Sequence, residues 1–253
     1  MPSRTSALAP GYRLHSARAV SRFVLTCEHA NRRLPYPTPT DRRLRDLLRS
    51  HWGWDIGAWA LTRELAPRLG SPAIGGRWSR LLIDLNRLVS EPSLIRREAG
   101  GLVLPWNRNL ARAEIERRVL QVHAGYHNAL DRLILRQLVR GISPAVIAIH
   151  TFTPEEFDGR SRRFDAGVLF ANRERAAHRV GKTLREGGLR VRYNEPYSGL
   201  AGMMYSADRH GTHHGLYFLE LEFNQVLFEE PANVARLARI TATALRKIPR
   251  RNA

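Results

Sequence analysis

His29, Asp55 and His150 lie far apart in the chain, yet both histidines come at the ends of short apolar runs, 23–26 leading through Cys27-Glu28 to His29 and 144–149 leading directly to His150. Each run reads as a buried strand. Parallel strands bring their carboxyl ends to one edge of an α/β sheet, where ligands bind. Two histidines at that edge, with a carboxylate from Asp55 early in the following helix, make a common catalytic zinc set whose fourth position is left to water. Taken singly, each histidine reads as a hydrogen-bonded group at a strand end; it is their joint placement that points to a metal.

The run Ser79-Arg80-Leu81-Leu82-Ile83-Asp84-Leu85-Asn86-Arg87 adds a second kind of chemistry. Residues 81–85 read as a third buried strand that opens at Asn86 and Arg87. A guanidinium beside a carboxamide suits a planar carboxylate, because arginine offers a fork of donors in fixed geometry. The competing reading is a surface pair between Asp84 and Arg87. The segment 217–223 alternates and places Glu220 and Glu222 on one side. A carboxylate in an apolar strand is costly to bury unless paired. One of the two would serve as the base for a metal-activated water; otherwise this is an edge strand with solvated glutamates.

Three further groupings carry weaker chemistry. His123 and His127 have the four-residue spacing of a zincin helix, but the glutamate that follows the first histidine there is replaced by Ala124. They read as packing groups. Residues 194–199 form a turn with a polar tip, and 210–215 a flexible polar loop; both read as a substrate-facing wall or lid. His210, His213 and His214 show no ligand spacing of their own.

The elements that must position these groups follow from periodicity. Residues 1–20 read as a loose arm and 21–253 as a single domain. Helical spacing occupies 41–49, 51–66, 111–140, 173–186 and 231–247, and short apolar runs add strands at 166–171 and 189–193. The segment 92–108 reads as a loop. Strands alternating with helices predict an α/β fold with a mixed, largely parallel sheet.

Composition narrows the function classes. The 253 residues, 43% hydrophobic and 25% charged, suit an ordinary globular protein with a sizeable core. The single cysteine, Cys27, excludes an internal disulfide framework and suits a reducing compartment. No apolar stretch approaches the ~20 residues of a membrane span, and residues 1–21 lack the apolar core of a secretory signal. A cytoplasmic location is expected, without a membrane partner. The net charge of +18 comes almost wholly from arginine, Lys182 and Lys247 being the two lysines. The arginines are dispersed and no nucleic-acid motif accompanies them. The charge therefore reads as solvated faces that attract anionic substrates rather than as a specific nucleic-acid surface.

In their order along the chain, the pieces Cys27-Glu28-His29-Ala30 with Leu34-Pro35, Trp54-Asp55-Ile56-Gly57, and Ser79-Arg80 through Asp84-Leu85-Asn86-Arg87 resemble the N-formylglutamate amidohydrolase family. Tyr126-His127, Ile149-His150-Thr151-Phe152-Thr153-Pro154, residues 194–199, and Leu221-Glu222 with Gln225 continue the resemblance, which spans about residues 23–226. It implies a phosphorylase/hydrolase-like three-layer α/β sandwich, akin to zinc carboxypeptidases and aspartoacylases. It implies that His29, Asp55 and His150 hold zinc or another divalent metal, and that Asn86 and Arg87 hold a substrate carboxylate. Glu222, which directly precedes Phe223-Asn224-Gln225, matches the catalytic glutamate in preference to Glu220. Arg80, Asn194, Tyr197, Ser198 and His210 complete the expected substrate-binding set. The chain carries Glu28-His29 where the deformylases of histidine breakdown have Pro-His, which marks a divergent branch. The expected activity is metal-dependent hydrolysis of the amide bond of a small N-acyl, N-formylglutamate-like amino acid. The alternative is a non-catalytic binding module for an acidic metabolite or polyanion.

Overall fold

The computed structural model describes residues 9–16, 18–37, 39, 41–156 and 159–250. Four of the apolar runs form strands of a seven-stranded sheet in the order β1-β3-β2-β6-β9-β7-β8. The strands are β1 (Tyr12–His15), β2 (Phe23–Cys27), β3 (Ala73–Gly76), β6 (Ala145–Phe152), β7 (Ala166–Leu169), β8 (Val191–Tyr193) and β9 (Phe218–Asn224). β3, β2, β6 and β9 run parallel, β7 and β8 run together against β9, and β1 pairs antiparallel with β3. The sheet is thus mixed and mostly parallel. A separate hairpin joins β4 (Glu98–Ala99) and β5 (Leu102–Val103) inside the segment read as a loop.

Side chains alternate across a strand, so each face has its own core. On one face Phe23, Leu25, Ile147 and Leu221 pack with Leu61 and Leu65 of α2 (Ala58–Leu69). Val180 and Leu184 of α5 (Glu174–Glu186) and Leu237 and Leu245 of α7 (Ala232–Leu245) complete that layer. On the other face Val24, Val146, Ala148 and Phe218 pack with Tyr126, Leu130 and Ile134 of α4 (Gly125–Leu138) and Ala207 of α6 (Tyr205–His213). Helices on both faces make the three-layer sandwich. Among the described residues no helix is long and apolar enough to cross a membrane.

Several boundaries differ from the sequence reading, each for a physical reason. Residues 12–15, assigned to a loose arm, form β1 because β3 offers a free edge; residues 1–8 lie outside the described part. Residues 81–85 are buried but form turns, not a strand. An apolar run alone does not distinguish a strand from a buried turn. Their carbonyls are satisfied by side chains: Trp106 Nε1 donates to Leu81 O (2.9 Å), Arg118 Nη1 to Leu82 O (3.0 Å) and His127 Nε2 to Leu85 O (3.1 Å). The strand that flanks β2 is instead Ala73–Gly76, whose glycines gave no apolar signal. Gly76 is required there, since a Cβ would stand 2.0 Å from the Glu28 carbonyl oxygen.

The helix read at 51–66 begins at Ala58, after Gly57 in the left-handed region at φ 86°. The preceding turn carries Asp55, whose backbone N–H donates to the His29 carbonyl (3.0 Å). The helix read at 41–49 is α1 (Arg42–Arg49). The long helical pattern divides into α3 (Arg112–Arg118), a π-helical stretch (Val119–Ala124) and α4. α6 (Tyr205–His213) takes in the first part of the segment read as a flexible polar loop at 210–215. β9 lies inside the sheet between β6 and β7, so Glu220 and Glu222 are buried rather than solvated on an edge.

Candidate active site

β2 and β6 end side by side, and the turn before α2 closes on them. This brings His29, Asp55 and His150 together, buried, with a ligand atom from each within 4.8 Å of the others. His29 Nε2 donates to Asp84 Oδ1 (2.7 Å), leaving Nδ1 3.5 Å from Asp55 Oδ2 and without a hydrogen-bond partner. His150 Nδ1 lies 2.8 Å from the same Asp55 oxygen, and its Nε2 lies 3.0 Å from Glu28 Oε2. The Nδ1 atoms of both histidines thus converge on Asp55 Oδ2, while their Nε2 atoms are held by Asp84 and Glu28. Arg80 Nη2 donates to the other Asp55 oxygen, and His51 Nδ1 approaches it at 3.5 Å.

Strand alternation puts Glu220 and Glu222 on the sheet face covered by α4 and α6. Glu222 pairs in register with His150. Glu220 Oε2 accepts from Asn86 Nδ2 at 3.5 Å and lies 3.6 Å from His150 Nε2. Glu222 Oε2 is buried without a partner. Burial pushes both carboxyls up, Glu220 to about 7 and Glu222 well above the usual carboxylate range. Burial acts the same way on Glu28, but hydrogen bonds from His150 and Tyr126 outweigh it and hold Glu28 at about 2. Burial disfavours the His150 cation, yet Glu220, Asp55 and Glu28 raise it overall.

A cavity of about 610 Å³ opens over these groups. His29, Asp55, His150, Glu220 and Glu222 line its floor, and Arg80, Asn86, Arg87 and Tyr197 its walls. The backbone of Asn86–Arg87 is clamped from the helical layer: His127 Nε2 donates to Leu85 O and His123 Nε2 to Arg87 O (2.9 Å). The zincin-like spacing of these histidines therefore serves two carbonyls. The Asn86 carboxamide accepts from the Ser206 N–H (2.8 Å). Arg87 is partly exposed, 4.0 Å from Asp84 and 3.8 Å from Glu91.

Three expected substrate residues do not line this cavity. The Asn194 carboxamide accepts the backbone N–H groups of Phe170 and Gly199, both at 3.0 Å, and so holds the turn behind Tyr197. The Ser198 carbonyl accepts from Ala201 and Met203. His210 is buried between His127 and Asp131. Conversely, Arg96, Arg162, His51 and Trp52 line the cavity unanticipated. Arg162 lies in an arginine-rich stretch that resembles any solvated charge run; what distinguishes it is its grip on Thr153, donating to its carbonyl (3.0 Å) and hydroxyl (2.8 Å). Glu28 carries the clearer missed signal, being adjacent to His29.

Comparison with known proteins places the whole chain. The family model described as N-formylglutamate amidohydrolase matches residues 21–229. No curated protein sequence matches the chain. The solved structure of a gene product of Agrobacterium tumefaciens is similar at 28% identity, with 96% of each chain covered and a TM-score of 0.88. The structure of N-formylglutamate amidohydrolase from Ralstonia eutropha JMP134 is similar in fold at 19% identity, covering 94% of this chain and 97% of that one, with a TM-score of 0.70.

Proposed function

Because the chain belongs to the N-formylglutamate amidohydrolase family, we propose that it hydrolyses the amide bond of a small N-acyl amino acid of the N-formylglutamate type, using a divalent metal and Glu222 as general base. One observation carries this reading: His29, Asp55 and His150 converge beneath a cavity that also holds an unpartnered Glu222 oxygen and the Asn86–Arg87 pair.

The donor set fits a divalent cation. Two imidazoles and a carboxylate suit zinc. His29 Nδ1 is buried and unsatisfied, and the second nitrogen of each histidine rests on a carboxylate, as metal-ligating histidines require for fixed orientation. A cation held there supplies Lewis acidity and lowers the pKa of a water towards ~7.

The chain's own residues do the rest. Arg87 and Asn86 bind a substrate carboxylate, and this anchors the amide over the floor of the cavity. Arg80, whose Nε is buried without a partner, faces the carbonyl oxygen as charge develops on it. Glu222 takes the proton of the attacking water at its free oxygen and returns it to the leaving amine. Glu220, engaged by Asn86 and His150, holds those groups in place. Asp84 and Glu28 hold the two histidine rings.

The test is a panel of N-acyl amino acids assayed with protein stripped by chelator and reloaded with zinc. Release of the free amino acid from an acidic N-acyl substrate, abolished by stripping and restored by zinc, is expected. Tight binding of such compounds without release under both conditions would instead mark a non-catalytic binding module.

A further inference from the structure

On the outer side of the helical layer, away from the cavity, Asp131 of α4 meets His210 of α6 and His214, which caps the C-terminus of α6. His210 Nδ1 lies 2.8 Å and His214 Nε2 3.0 Å from the same oxygen, Asp131 Oδ1. The histidines are four apart, in the last turn of the helix and at its cap, and both rings turn to the same carboxylate. Asp131, His210 and His214 form a second group whose ligand atoms all lie within 4.8 Å. A cavity of about 520 Å³, lined by Asp131, Asp208 and His210 among others, gives access from solvent.

Counting hydrogens shows what the cluster lacks. His127 Nε2 faces the Leu85 carbonyl, His127 Nδ1 faces His210 Nε2 (2.9 Å), and His210 and His214 each face Asp131. That makes four links, and each needs one hydrogen. A carbonyl and a carboxylate supply none, and three neutral imidazoles supply three. The network is one hydrogen short, and either a further proton on a ring or a cation at Asp131 makes up the difference. A metal ion there replaces both Asp131 links. His127 then donates to Leu85, His210 donates to His127, and all three rings are neutral, the form in which histidine ligates.

We propose that Asp131, His210 and His214 form a second divalent-cation site of the zinc class, separate from the candidate active site. Metal–ligand bonds of ~2.0–2.1 Å in a tetrahedron set ligand atoms about 3.3 Å apart, so the two spacings to Asp131 Oδ1, 2.8 Å and 3.0 Å, need open by no more than about half an ångström, and all three ligand atoms already lie within 4.8 Å of one another. Asp131 is partly exposed, with room to make that shift. Imidazole and carboxylate ligands suit zinc among the divalent ions. The cation ties α6 to α4. Through His210 and His127 it braces the Leu85 carbonyl, and α6 also holds Asn86 through the Ser206 N–H. The site is thus a strut beneath the Asn86–Arg87 segment.

The test is zinc content per chain after chelated full-length protein is equilibrated with zinc and freed of excess by gel filtration. Two zinc ions are expected in the wild type, one in Asp131→Asn and one in Asp55→Ala. His214→Gln, altered at the outer end of the cluster, repeats the comparison if Asp131→Asn does not fold by circular dichroism. One zinc in the wild type that Asp55→Ala loses and Asp131→Asn keeps would overturn the proposal, as would no zinc at all; the extra positive charge is then a proton on the histidines. One zinc that Asp55→Ala keeps and Asp131→Asn loses would uphold this site and remove the metal from the candidate active site.

Discussion

Glu220 and Glu222 project from the same face of β9, but only Glu220 is engaged by Asn86 and His150, while Glu222 keeps a bare oxygen. If Glu222 is the base, Glu222→Gln lowers kcat by on the order of 10²–10⁴-fold, the range for a positioned acid–base group, and leaves zinc content unchanged. Unaltered turnover in that variant would remove the role. Arg87 has a different signature. Truncating a charged group that holds a substrate carboxylate costs on the order of 2–5 kcal/mol, so Arg87→Ala should raise KM sharply for acidic N-acyl substrates. An analogue lacking the side-chain carboxylate should lose its disadvantage in that variant; equal penalties for both would contradict the clamp. At this scale the sequence was most legible. His29, Asp55, His150, Asn86 and Arg87 all line one cavity: the first three because strands and the turn before α2 close at one edge of the sheet, the last two because a buried turn held by His123, His127 and Ser206 delivers them there. Asn194 and His210 were misplaced because polar side chains in a loop look alike whether they face substrate or hold backbone.

The elements that present these residues were less evenly readable. β2 and β6 announced themselves as apolar runs and β9 by its alternation. β3 did not, since Gly75 and Gly76 carry no apolar signal. Residues 81–85 gave a strand signal but are a buried turn satisfied by side chains from α3, the segment before it and α4. α6 was hidden in a run rich in glycine and histidine. The buried turn depends on Arg118, which is only 1% exposed and donates to Leu82 O, Asn107 Oδ1 (2.6 Å), Trp106 O (2.7 Å) and Glu114 (2.8 Å). Arg118→Met removes these donors and leaves buried acceptors unpaired, a loss of about 3 kcal/mol or more. Urea unfolding reads this as a lower midpoint. A midpoint within experimental error of wild type would show that the turn stands without Arg118.

Over the whole molecule, the pH response of stability can be tested at groups remote from both proposed cation sites. Burial disfavours the Glu114 and Asp165 anions, but hydrogen bonds from Arg118, Tyr36 and Arg117 to Glu114, and from Arg190 to Asp165, lower both below their usual values. A lowered carboxylate stabilises the fold above its unfolded value of ~4 and loses that contribution as pH falls through the folded value. Urea midpoints should therefore fall below about pH 4, less steeply in Glu114→Gln/Asp165→Asn. An equal slope in the double variant would contradict that assignment.

The reaction itself is tested most directly by mixing excess zinc-loaded protein with N-formylglutamate or another acidic N-acyl amino acid and following free amino acid in a single turnover, with Asp55→Ala run alongside. Release by the wild type and none by Asp55→Ala is the expected result. Saturable binding of these substrates to the wild type with no release, or release by Asp55→Ala at the wild-type rate, would contradict a metal-dependent amidohydrolase built on His29, Asp55 and His150.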